Sequence, residues 1–80
     1  MEIIIRKVID EVKYTILNSS LVAELKLEVA STFFLKEGIT VHPLQIRFFF
    51  SGKELLDNEE LWVYNLDDGS IVQMMVKPLD

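Results

Sequence analysis

Residues 46–77 read IRFFFSGKELLDNEELWVYNLDDGSIVQMMVK, and two strand-like segments within them carry apolar residues on both faces. In the first segment, at 45–50, alternation places three apolar side chains on one face: Ile46, Phe48 and Phe50. Phe49 then lies on the opposite face together with Gln45 and Arg47. Since a core needs only one face of a strand, Phe49 is predicted to lie on a polar, basic outer face.

The last segment, at 71–77, repeats this arrangement. Its predicted core face is apolar and consists of Val72, Met74 and Val76. Met75 lies on the other face with Gln73 and Lys77. An apolar side chain beside arginine or lysine on each outer face predicts a surface that meets another protein.

The composition limits the class of protein. Half of the 80 residues are apolar, so one small core is possible, and the absence of cysteine excludes disulfides and thiolate sites. The net charge of -5 argues against general nucleic-acid binding. No signal-peptide pattern and no apolar run of transmembrane length follow Met1, so neither secretion nor a membrane span is predicted. We expect a cytoplasmic or nuclear protein.

The chain shows no linker, repeat or low-complexity tract, so we expect a single domain over residues 1–80. Two alternating segments joined across 9–11 predict an N-terminal β-hairpin. Ser20 is the predicted N-cap of a helix, and Gly38 is predicted to end that helix in the left-handed conformation. The predicted core face of the helix has the spacing i, i+3, i+7, i+11 and consists of Val22, Leu25, Val29 and Phe33.

A second apolar stripe flanks this face and consists of Ala23, Leu27, Ala30 and Phe34. It has two interpretations: the favoured one is a wider core contact, and the other is a second docking site. Further along, 51–53 are predicted to form a tight turn and 54–56 a short return strand. The element order is β-β-α-β-β-β, with the helix over one face of a mixed sheet, which predicts an α+β roll.

The chain resembles ubiquitin-like domains of the β-grasp fold over essentially its whole length. The resemblance rests on the Met1-led hairpin, the helix carrying Lys26, Gly-Lys-x-Leu at 52–55 and Leu-x-x-Tyr-Asn at 61–65. It implies a non-catalytic protein-interaction module. It also implies that Lys26 is buried and ion-paired, whereas the residues alone equally allow a lysine that extends along the helix to solvent.

The resemblance places the recognition patch of the family on Val8, Phe49, Gln73 and Met75. A predicted basic rim surrounds this patch and consists of Arg6, Arg47, Lys53 and Lys77. The alternative is a set of ordinary exposed hydrophobic residues. The expected partner presents an apolar helix or groove with an acidic rim. By resemblance, the candidate partners are proteasome receptor subunits, ubiquitin-binding helices, unfoldase N-domains or another domain of the same chain. We expect the chain itself to be a monomer.

The chain also departs from ubiquitin. The sequence closes Lys-Pro-Leu-Asp at 77–80 and has no diglycine, so conjugation is not expected, and we expect an N-terminal domain of a larger protein. The region 32–40 is longer than in ubiquitin, which puts in doubt any partner that contacts that edge.

Catalytic interpretations find little support, and we expect neither an enzyme nor a cofactor. His42 is the only histidine and precedes a proline in a loop. Residues 51–53 lack the glycine frame of a phosphate-binding loop, and the acidic residues at 57–60 and 67–68 do not have the spacing of a calcium loop.

The alternative function is a scaffold that self-associates head to tail. Its basic face would consist of Arg6 and Lys7. Its acidic face would consist of Asp57, Glu59 and Glu60, or of Asp67 and Asp68.

Overall fold

The computed structural model describes residues 1–78 as one helix packed on a five-stranded mixed sheet. The elements are β1 (Glu2–Lys7), β2 (Asp10–Thr15), α1 (Val22–Thr32), β3 (Ile46–Phe50), β4 (Lys53–Glu54) and β5 (Ser70–Val76), with short 3-10 turns at Pro43–Gln45 and Leu61–Tyr64. The strand order is β2-β1-β5-β3-β4, with β1 parallel to β5 and the other pairs antiparallel. The predicted α+β β-grasp roll is confirmed. Residues 79 and 80 lie outside the described part, and so does the prediction that rests on them, the absence of a C-terminal diglycine.

The first hairpin turns earlier than predicted. Its two turn residues are Val8 and Ile9, and the ladder already resumes with Lys7 opposite Asp10. This register places Ile3 opposite Tyr14 on the inner face of the sheet, which faces the helix. Burial of the alternating apolar residues therefore sets the turn, although no glycine is available there.

The helix begins one residue later than predicted. Leu21, not Ser20, is the N-cap, and the Leu21 N–H donates to the Glu24 carboxylate at 2.9 Å. Ser20 is held instead by the neighbouring segment, because its carbonyl accepts from the Leu61 N–H at 2.9 Å. The Glu24 carboxylate in the first turn thus satisfies the free N–H at the start of the helix, and no serine side chain acts as the cap.

The helix also ends earlier than predicted, at Thr32. Beyond Thr32 the backbone hydrogen bonds tighten from a spacing of four residues to one of three: the Leu35 N–H donates to the Thr32 carbonyl at 3.4 Å, and the Gly38 N–H to the Leu35 carbonyl at 3.3 Å. Gly38 does adopt the predicted positive φ, 66°, but in a turn beyond the helix. The predicted core face is buried. The second stripe divides, with Phe34 buried and Leu27 exposed.

The second hairpin reverses over Ser51 and Gly52, which both have positive φ, 52° and 77°. Such a turn matches the twist of the flanking strands. Strand β4 is shorter than the predicted 54–56, because Leu56 already turns away and donates its N–H to the Tyr64 hydroxyl at 2.8 Å. The hairpin is therefore tight and keeps Glu54 beside β3.

The single core lies between α1 and the inner face of the sheet. Ile5, Leu25, Phe48 and Val72 are fully buried within it. Among residues 1–78, Lys26 is the one buried charged residue, and its ammonium contacts the Asp57 carboxylate at 2.6 Å. The buried, paired alternative for this lysine is confirmed.

Candidate functional site

The outer face of the sheet brings three predicted site residues together. Phe49 on β3 is opposite Gln73 on β5, and Gln73 is also level with Arg6 on β1. Met75 is two residues along β5 and therefore shares this face. Phe49 is half-buried, whereas Met75 is 56% exposed.

Val8, the fourth predicted site residue, lies in the turn that follows β1. The pairing of β1 with β5 ends at Arg6 and Gln73, two residues before Val8. The Val8 side chain is 79% exposed, and its backbone has a φ of 57°. A two-residue hairpin turn requires a positive φ at its first central residue, so the turn imposes on Val8 a conformation that β-branched residues otherwise avoid.

Sequence reasoning missed two apolar members of this face. Ile4 and Ile71 are directly opposite each other on β1 and β5 and are both half-buried. Alternation around Ile3 and Ile5 already pointed Ile4 outward, so the signal was present. The outer patch therefore consists of five apolar residues and one polar residue, Gln73: Ile4, Val8, Phe49, Ile71, Gln73 and Met75.

Arg47 is committed to two contacts beside the outer patch. Its guanidinium forms two hydrogen bonds with the Glu54 carboxylate, Nε–Oε2 at 2.9 Å and Nη2–Oε1 at 2.8 Å. Its Cζ also lies 5.0 Å from the centroid of the Phe49 ring, a cation–π distance. Glu54 thus orients Arg47 over one part of the aromatic side chain.

The other predicted basic residues are arranged less simply. Arg6 is paired with Glu11, as Arg47 is with Glu54, so neither of these arginines contributes an uncompensated charge. Lys53 is opposite Phe50 and lines a separate pocket with Tyr64, away from the outer patch. Lys77 follows Met75 at the end of β5, where it lines a pocket with Arg47 and Glu54. The rim of the outer patch is nearer to charge balance than the sequence suggested.

Groups outside the outer patch have internal roles. His42 caps a 3-10 turn, its Nδ1 accepting the Leu44 N–H at 3.1 Å. Asp57 pairs with Lys26, and the Asp68 carboxylate accepts the Glu2 N–H at 2.7 Å. Asp57 and Asp68, which would belong to the acidic face of the head-to-tail scaffold, are therefore already engaged within the chain.

Residues 1–78 contain neither a metal-binding cluster nor a membrane-spanning helix. Their acidic and histidine side chains form no cluster of three that could hold a metal ion. None of their helices is long and apolar enough to cross a membrane.

The Arg47–Glu54 pair predicts a pH effect. The hydrogen bonds from Arg47, and to a lesser extent its charge and those of Lys26 and Lys77, hold the pKa of Glu54 below its ordinary value. Since the folded pKa is the lower one, the stabilisation by this pair is complete above the ordinary carboxyl pKa and is lost as the pH falls through the lowered value. Carboxyl NMR titration should show this low pKa, and Arg47→Gln should raise it. An unchanged Glu54 pKa in that variant would contradict the assignment.

Comparison with known protein families gives a match. The model of the ubiquitin family matches residues 6–79. No curated protein was found to match the chain.

Proposed function

This chain belongs to the ubiquitin family, and we propose that it is a non-catalytic interaction module that docks partner proteins through the outer patch. Ubiquitin-like domains generally act as protein-interaction modules. The proposal adds the surface: apolar side chains on three adjacent strands, with Val8 and Met75 the most exposed of them.

The observation that carries the proposal is the apolar content of the outer face, which core packing does not require. Ile4 and Ile71 are opposite each other on β1 and β5, and Phe49 and Met75 lie on the same face of β3 and β5. Met75 is 56% exposed although it belongs to the central strand. A group of apolar side chains on an exposed sheet face is typical of a surface that binds another protein.

The charges beside the outer patch define the partner further. Because Arg6 and Arg47 already hold carboxylates, an acidic rim on the partner would have to compete with Glu11 and Glu54. We therefore propose an apolar helix or groove that carries few acids, with Lys77 its most accessible charged contact. Proteasome receptor subunits, ubiquitin-binding helices, unfoldase N-domains and another domain of the same protein are the candidates that resemblance suggests.

An NMR titration tests the docking surface. The labelled chain is titrated with ubiquitin-receptor helices and a proteasomal receptor fragment, and shifts are expected at Val8, Phe49, Ile71 and Met75. Phe49→Ala should weaken binding by about 30-fold or more, since an aromatic hot spot contributes roughly 2 kcal/mol or more.

Trp62→Ala is the matched control. Trp62 is as exposed as Met75, at 56%, but it lies in the 3-10 turn of residues 61–64, away from the outer patch. Its removal should leave affinity unchanged. Equal losses in both variants, or no shifts with any probe in the folded protein, would contradict the proposal.

A further inference from the structure

The edge strand β2 leaves hydrogen-bonding groups unpaired. Met1 and Ile16 exchange two hydrogen bonds of 2.9 Å, so the hydrogen-bonded pairs of this hairpin recur at every second residue. The N–H and C=O groups of Glu11, Lys13 and Thr15 therefore point away from β1. No hydrogen bond from the described residues reaches them. The opposite edge, β4, has only two residues.

An apolar groove runs beside this edge on the helix side of the sheet. It has a volume of about 460 Å³ and is lined by Val12, Phe33 and Leu35 together with charged residues. Val12 is 38% exposed and Leu35 is 72% exposed. A strand added to β2 would therefore cover apolar surface as well as complete backbone hydrogen bonds.

The charges on β2 are complementary to those on the β2 strand of a second copy. Glu11 and Lys13 both have outward-pointing backbone groups, and they carry opposite charges. In an antiparallel pair of two copies, one register places Glu11 opposite Lys13 of the second copy, and the symmetry repeats this pair. Shifting by two residues in either direction places Glu11 opposite Glu11, or Lys13 opposite Lys13, which is repulsive.

We propose that two copies of this chain associate through antiparallel pairing of their β2 strands in the Glu11–Lys13 register. Val12 of one copy then directly faces Val12 of the other as a closely spaced pair on the helix side. Lys13, which makes no ion pair among residues 1–78, comes opposite Glu11 of the other copy, whose carboxylate then lies between that Lys13 and its own Arg6. This departs from the monomer expected from the sequence.

The symmetry of this pairing has a functional consequence. The two-fold axis of an antiparallel strand pair is perpendicular to the sheet, so both copies present their outer faces on the same side. The dimer would offer two outer patches to a partner with two docking motifs, which would gain avidity. This consequence rests on the proposed function, whereas the pairing of β2 does not.

Charge exchange between copies tests the register. Light scattering of the 80-residue chain is measured from about 10 µM to about 1 mM, since a contact of this size is expected to be transient. Glu11→Lys alone and Lys13→Glu alone each place like charges opposite one another twice, so each should associate about tenfold more weakly than the original chain. An equimolar mixture of the two variants restores both opposite-charge pairs and should associate again, as heterodimers.

A backbone variant tests the edge itself. Lys13→Pro removes an N–H that the fold does not use, so the chain should stay folded but no longer associate. In mixtures of labelled and unlabelled original chain, contacts between Val12 methyl groups of different copies are expected. Phe49→Ala should dimerise normally, which separates this proposal from the outer patch.

Three results would overturn the dimer. They are a monomer throughout the concentration range, a mixture of the charge variants that stays monomeric, and a folded Lys13→Pro chain that still dimerises. If the β2 edge binds an extended peptide of another protein and not a second copy, the chain will be a monomer throughout the concentration range.

Discussion

Phe48→Ala is expected to destabilise the domain by about 3–5 kcal/mol, the typical cost of removing a buried aromatic side chain. Phe48 is fully buried, and it lies on β3 opposite Met74 of the central strand β5. A domain of this size has a free energy of unfolding at the low end of roughly 5–15 kcal/mol. Most of its stability should therefore be lost. Chemical denaturation followed by circular dichroism measures the effect.

The adjacent residue provides the control for this experiment. Phe49 differs from Phe48 by one position and by the face of the sheet on which it lies. Phe49→Ala should reduce the free energy of unfolding by no more than about 1.5 kcal/mol, because the half-buried ring loses mainly its contact with Arg47. Similar losses for the two variants would mean that the two faces of β3 had been assigned wrongly.

Asp57→Ala is expected to destabilise the domain by about 2 kcal/mol, because it leaves the buried Lys26 ammonium without its partner. This is below the roughly 3–5 kcal/mol typical of a fully buried pair, since the Asp57 side chain is half exposed. Replacing Lys26 by methionine in the same chain removes the buried charge as well. The double variant should recover most of the lost stability.

A double-mutant cycle by chemical denaturation measures the coupling between these two residues. Lys26→Met alone should change the free energy of unfolding by only about 1 kcal/mol, because Asp57 can then be hydrated. If the two single effects simply add in the double variant, the ion pair has no influence on stability beyond that of each side chain separately.

The fold was predictable from local patterns, but the ends of its elements were not. Alternation in 45–50 and 71–77 and the spacing of the helix predicted the strands, the helix and the buried face. After Thr32 the backbone hydrogen bonds change from a spacing of four residues to one of three. The spacing of apolar side chains does not record this change, so periodicity and Gly38 predicted a later end.

The candidate site was predicted only in part. Alternation placed Phe49, Gln73 and Met75 on the outer face, and the register brings them together. The charges depend on details that periodicity does not contain. The two-residue turn at 51–52 places Glu54 opposite Phe49, within reach of Arg47, and directs Lys53 to the other face.

The strand order also determines when this domain can fold during synthesis. Strand β5, the last to leave the ribosome, occupies the middle of the sheet between β1 and β3. Until Ser70–Val76 has emerged, the β1–β2 hairpin and β3 have no common neighbour, and their apolar inner faces stay uncovered. A nascent chain that stalls before this strand would expose those faces to chaperones and proteases. Folding of this domain is therefore expected to be a late, all-or-none event.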